Sequence, residues 1–118
     1  MATKIKPLLP SLREKKRYLA FEIISKSKIK DFSAVSGAIW ANSLSFMGEL
    51  GAAKAGIWLL PDKYNEKTQR GIIKVGNKYV NELKAALALI DKIDGSEAIV
   101  RSLTVSGMLN KASKYIAG

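Results

Sequence analysis

The hydrophobic pattern predicts an α+β domain of the split βαβ, ferredoxin-like type. Two helices would cover one face of a four-stranded antiparallel sheet, and a short C-terminal helix would follow. Three observations predict it. Four short runs are rich in β-branched and aromatic residues. Two longer segments repeat apolar residues at helical spacing. Their order along the chain is β-α-β-β-α-β, then α. With 118 residues the chain is long enough for one domain and too short for two.

Taken in order, residues 1–14 carry Pro7 and Pro10 and no periodicity, and read as an extended basic arm; residues 15–118 read as the domain. Tyr18 to Ile24 is the first strand. Asp31 or Ser33 can cap a helix running to Gly48, with Val35, Ile39, Trp40, Leu44 and Met47 at helical spacings. Ala53 to Leu60 is the second strand, closed by Pro61-Asp62. Gln69 to Val75 is the third. Gly76-Asn77 starts a second helix whose stripe is Val80, Leu83, Leu87 and Ile90. Asp94-Gly95 is a turn, Ala98 to Val105 the fourth strand, and Met108 to Ile116 the short last helix.

Composition narrows the chemistry. There is no cysteine, which excludes disulfides and thiolate catalysis and points to a reducing compartment. There is no histidine, which removes the usual general base and the commonest metal ligand. Met1 to Pro10 lacks the apolar run of a signal peptide, and no stretch reaches the ~20 apolar residues that span a bilayer. The expected location is cytoplasmic, with no membrane partner.

The net charge is +10, which makes a polyanion the expected partner. Residues 1–17 contribute a net +5 of it. The sharpest cluster is Arg13, Lys15, Lys16 and Arg17 beside Tyr18, where the arm meets the first strand. Cations next to an aromatic suit phosphate contact and base stacking. Alternation puts Lys15 and Arg17 on one side, Lys16 and Tyr18 on the other. Arg70 and Lys74 form a second basic patch. Arg70-Gly71 resembles the start of the base-reading strand of the RNA-recognition motif, but Ile72 and Lys74 stand where that motif needs aromatics. Gly71 would serve close approach of RNA or backbone, or a bulge. Ser106-Gly107 before a helix, with Lys111 and Lys114, is a third basic candidate.

Both helices have unusually neutral outer faces. The first carries no charge from Ser33 to Met47, and Ala85 to Ile90 holds no polar residue. A helix lying on a sheet ordinarily shows charge outward. Ala38, Ala41, Ala85, Ala88 and Leu89 are therefore candidate protein-interface positions. Catalytic constellations are poor. Asp91 and Asp94 flank a helix end and a turn, and Gly48 to Gly56 lacks the ending of a phosphate-binding loop. No catalytic or metal-ligating residue is expected.

An ordered set of short pieces resembles the archaeal ribonuclease P protein component 2 family. They are Leu12-Arg13 with Lys15-Lys16-Arg17-Tyr18, Ala38-Ile39-Trp40, and Gly48 to Gly56. Gln69-Arg70-Gly71-Ile72, Ala85-Ala86-Leu87 and Val105-Ser106-Gly107 complete it. The resemblance covers about Pro10 to Ser113. It implies a subunit of a ribonucleoprotein that removes 5′ leaders from precursor tRNA. In that family the RNA is the catalyst and holds the Mg2+, so the chain itself needs no cofactor. The implied partners are ribonuclease P RNA, precursor tRNA and protein component 3, a TIM-barrel-like subunit, in a heterodimer or a two-plus-two heterotetramer. The family supplies no catalytic side chain to carry over. Two other readings share the charge or the fold. One is another RNA-binding protein of the translation machinery, of ribosomal type. The other is an acylphosphatase-like enzyme, which would need an arginine loop where this chain has Ser25-Lys26-Ser27-Lys28.

Overall fold

A computed structural model gives the fold, and the structure describes residues 15–29 and 31–116. The expected arm, with Arg13, lies outside the described residues. The first strand, β1 (Lys16–Ser25), is the spine. Leu19, Phe21 and Ile23 alternate on one face and are buried. β1 pairs antiparallel with β3 (Arg70–Gly76) on one side and β5 (Ser96–Ser106) on the other. The full order is β2-β3-β1-β5-β4, where β2 is Trp58–Leu59 and β4 is Lys92–Ile93.

The sheet thus has five strands, one more than the sequence predicts. The addition is β4, whose two residues are too few to show alternation. It forms a hairpin with β5 through Asp94-Gly95, both at positive φ (53° and 79°). That is the backbone a two-residue hairpin turn favours.

Helix α1 runs Phe32–Ala55, beyond its predicted end at Gly48. Asp31 caps it by accepting the Ser33 N–H at 2.9 Å. At Gly48 the backbone leaves helical geometry (φ 77°, ψ 168°), as the sequence predicts, and a second helical segment follows directly across the kink. The following Ala52-Ala53-Lys54-Ala55 are strong helix formers and continue to Gly56, the left-handed cap. The expected second strand from Ala53 therefore shrinks to Trp58–Leu59. Helix α2 is Val80–Ala88, entered through a 3-10 turn at Asn77–Tyr79. Its predicted stripe holds: Leu83, Leu87 and Ile90 are buried and Val80 packs against the core. Both helices lie on the Leu19–Phe21–Ile23 face, with Val35, Ile39, Ile73, Val75 and Val100 completing the core.

The short helix α3 (Leu109–Ser113) packs on the opposite face. Ala20 and Ile72 are register partners there, and both are fully buried, as is Ala112 of α3. The chain after α3 is pinned: Arg70 donates to the Tyr115 carbonyl at 3.0 Å, and Asn65 and Thr68 donate to that of Ile116.

Gly71 faces the helices, not a ligand. It is opposite Phe21, and a Cβ there would stand 2.8 Å from the Phe21 ring and 3.1 Å from Tyr64. Those rings stack at 6.5 Å, and Tyr64 also meets Phe32 at 5.9 Å. The glycine makes room for an aromatic cluster, in place of the bulge or RNA approach that the sequence allows.

Candidate nucleic-acid and protein interface

The basic cluster sits at the start of β1, where the strand emerges from the core. Antiparallel register decides which cations share a face. Lys16 is opposite Gly76, and Tyr18 is opposite Lys74 in β3 and Ser106 in β5. Lys16, Tyr18 and Lys74 therefore lie on the same face, away from α1 and α2. The predicted alternation of Lys16 and Tyr18 agrees with this register. Lys16 reaches towards Gly56, where a Cβ would stand 2.9 Å from its Nζ. Arg17 reaches the other way, to within 3.3 Å of the Cβ position on Gly107, and donates to the Lys16 carbonyl at 3.2 Å. The cluster fans out across one end of the sheet, with Lys15 exposed beside it.

Arg70 lies four residues from Lys74 on the same face, but in a different setting. Glu22, its register partner, accepts from Arg70 Nε at 3.0 Å and from Arg101 Nε at 2.9 Å. Second contacts, Arg70 Nη2 at 3.0 Å and Arg101 Nη2 at 2.8 Å, make both pairs two-pronged. Burial pushes the Glu22 carboxyl up, but the two guanidinium hydrogen bonds and charges outweigh it and hold the group below its ordinary range. Arg70 is thus paired with a carboxylate and backbone, while Lys74 joins the basic end of β1. Arg101 was not singled out in the sequence; a cross-strand partner for Glu22 becomes visible only once β5 is in register.

The third candidate group is dispersed. Ser106 Oγ accepts the Met108 N–H at 3.0 Å, which occupies one of the donors expected to bind phosphate. Lys111 on α3 and Lys114 just after it are both exposed. α3 has only five residues, so it presents little dipole.

The neutral helix faces divide. Ala38 packs partly against the core, contrary to a wholly outward role. Ala85 is half-buried, whereas Ala41, Ala88 and Leu89 are exposed. Larger apolar groups missed in the sequence are exposed too: Trp40, Phe46 and Leu50 on α1, and Ile24 with its partner Ile99 on the sheet. Ile24, Ile99, Ala88 and Ile90 line an open groove of about 740 Å³. Trp40 shares a helical spacing with Leu44 and Met47, but it sits about 100° round the helix from Ile39, which is buried.

One buried polar residue also escaped the sequence reading. Gln69, at φ 55°, donates its amide to the Ile23 carbonyl at 3.0 Å and to Ser25 Oγ at 3.2 Å, and accepts the Ile29 N–H. It ties the end of β1 to the loop after it, a structural role. Among the described residues no three acidic side chains gather where they could hold a metal ion, and none of the helices is long and apolar enough to cross a membrane.

Comparison with known proteins places this arrangement. The model of the Rpp14/Pop5 family matches residues 17–117. A protein of Thermococcus gammatolerans named ribonuclease P protein component 2 is 45% identical, over 99% of this chain and 96% of that one. Its namesake in Pyrococcus abyssi is 44% identical over 94% and 92%, and that of Methanosarcina barkeri 36% over 93% and 78%. A chain in the cryo-EM structure of yeast ribonuclease MRP shares the fold, with a TM-score of 0.61 over 88% of this chain and 87% of that one, at 13% identity. The chain belongs to the Rpp14/Pop5 family and groups with the archaeal ribonuclease P protein component 2 proteins.

Proposed function

We propose that the chain is a protein subunit of ribonuclease P and supports removal of 5′ leaders from precursor tRNA, with the RNA subunit as catalyst. The observation that carries this is the near-full-length match to proteins named ribonuclease P protein component 2. The chain offers the RNA a fan of cations, Lys15, Lys16, Arg17 and Lys74, at one end of its sheet. It offers a protein partner exposed neutral or apolar groups on α1 and α2. That partner is a component 3, TIM-barrel-like subunit, and precursor tRNA is the substrate of the whole assembly. The cytoplasm is its place of work.

The physical role is electrostatic and geometric. A folded RNA repels itself and its substrate, and a basic protein surface replaces part of its condensed counterions. The Mg2+ of the reaction belongs to the RNA in this reading. The described acidic residues do not converge into a cage for it, so no step is assigned to a protein-bound metal. Reconstitution tests the proposal. RNA subunit and component 3 should cleave precursor tRNA at lower Mg2+ and faster with this chain than without it. The purified chain alone should not cleave. No change on adding the chain would overturn the reading.

A further inference from the structure

The sheet face opposite α1 and α2 is built in rows. α3 covers the row of Ala20 and Ile72, and Glu22 with its two arginines fills the next. The row at the other end is Trp58, Lys74, Tyr18 and Ser106, set side by side by the register of β2, β3, β1 and β5. Trp58 is 63% exposed. Tyr18 and Lys74 are half-buried. Lys16, one step further along β1, shares the face and reaches Gly56, two residues before Trp58. At ~4.8 Å per strand, the two aromatics stand about 10 Å apart with a cation between them. Neither ring takes part in the aromatic contacts of the core, which involve Phe21, Phe32 and Tyr64. Neither Lys74 nor Lys16 is in an ion pair among the described residues.

We propose that the Trp58–Lys74–Tyr18 row is a binding site for unpaired RNA nucleotides. Bases stack on Trp58 and Tyr18, and Lys74 and Lys16 hold the phosphates between them. The sequence hides this platform. By the usual strand positions the aromatics are missing, since Ile72 and Lys74 occupy them. The structure supplies them instead from β1 and from the two-residue edge strand β2. Aromatic faces flanked by cations are what single strands need, because every base has a π-face and every linkage a charge. Inside a duplex the base faces are stacked on one another and closed to the row. With α3 over the middle of the sheet, the platform has room for only a short stretch of single strand. The proposal rests on the RNA-binding reading above and adds a site and a substrate class to it.

The test uses the full chain, a short oligouridine, and a blunt RNA duplex of the same length. Trp58→Ala should weaken oligouridine binding about tenfold or more while leaving its salt slope intact. Trp58→Phe should retain most of the affinity. Lys74→Ala should weaken binding and lower the slope of log affinity against log salt by roughly 0.7. Duplex affinity should move little with Trp58→Ala. In a Trp40→Phe background, oligouridine should quench the fluorescence of Trp58. Thermal melting confirms that each variant folds. If folded Trp58→Ala binds oligouridine as the parent does, the row is not the site. RNA binding as such would still stand if neutralising Lys15 and Arg17 lowers affinity. If the parent binds neither RNA, both readings fall. If Trp58→Ala instead weakens assembly with the protein partner and leaves RNA affinity unchanged, the row is a protein interface and the proposal is overturned.

Discussion

The two faces of β1 obey different rules. Leu19, Phe21 and Ile23 point at α1 and α2 and form one continuous core. Tyr18, Ala20, Glu22 and Ile24 point the other way and meet four different settings in four steps. They are an aromatic and cationic row, a buried row under α3, an ion-pair row, and an exposed pair with Ile99. Burial alone specifies the first face, because any apolar side chain of the right size lowers the free energy there. The second face is specified residue by residue, through charge, hydrogen bonding and exposure. It is also the face that carries the proposed nucleotide row.

The largest effects should come from the first face. Phe21 is fully buried and stacked on Tyr64. Phe21→Ala should cost about 3–5 kcal/mol in denaturant unfolding. A cost below about 1 kcal/mol would mean that the core is not organised around that ring. Gly71→Ala fails in the opposite sense. Its Cβ would press on the Phe21 and Tyr64 rings at 2.8 and 3.1 Å, and overpacking of that kind costs about 1–3 kcal/mol. The double variant Gly71→Ala, Phe21→Leu should recover part of the Gly71→Ala loss, since a smaller side chain removes the clash. Strictly additive losses would contradict the contact.

The first face was largely legible in the sequence, and the second was not. Alternation in β1 and the Val80–Leu83–Leu87–Ile90 stripe are local signals, each set by one element's own period. The failures at α1 and β2 share a cause. Gly48 does break the helical backbone, but a second helical segment with Ala52 and Ala55 buried follows it where the sequence reads a strand. On the second face the meaning of a residue depends on register. Arg70 and Lys74 look alike in the sequence, four residues apart on one strand. One is held by Glu22, and the other stands between two aromatics. Trp58 cannot be placed beside Tyr18 without knowing that β2 pairs with β3, and β3 with β1.

A middle-sized effect tests the ion-pair row. Glu22→Gln removes the charge that two guanidiniums share and should cost about 1 kcal/mol at neutral pH, since Arg101 remains largely open to water. Its pH dependence has a definite sign. The folded carboxyl titrates below its ordinary value of 4.5. The stabilisation is therefore complete above that ordinary value and is lost as pH falls through the depressed one. The difference between parent and Glu22→Gln should shrink on acidification below pH 4.5 and stay flat above it. A gap that widens in acid would show that Glu22 is not held ionised by its arginines.

The smallest effects on folding should come from the outward sides of the helices. Ala41 and Ala88 are exposed, whereas Ala38 on the same helix as Ala41 packs partly against the core. Ala41→Glu and Ala88→Glu should each change stability by no more than about 0.5 kcal/mol. Ala38→Glu should cost more, because its carboxylate would have to leave packed surroundings or remain there poorly solvated. The same variants separate folding from assembly. A charge buried without a partner in an interface costs several kcal/mol, so Ala41→Glu or Ala88→Glu can keep the fold and still lose component 3. Other exposed apolar groups indicate where a partner would gain apolar contact: Phe46 and Leu50 elsewhere on α1, and Ile99 in the groove that Ala88 also lines. Loss of binding with only one of the two variants would assign the interface to α1 or to the groove at the end of α2. Loss with neither, measured by size-exclusion chromatography with component 3, would leave both faces as alanine-rich surface that favours helix formation and nothing more.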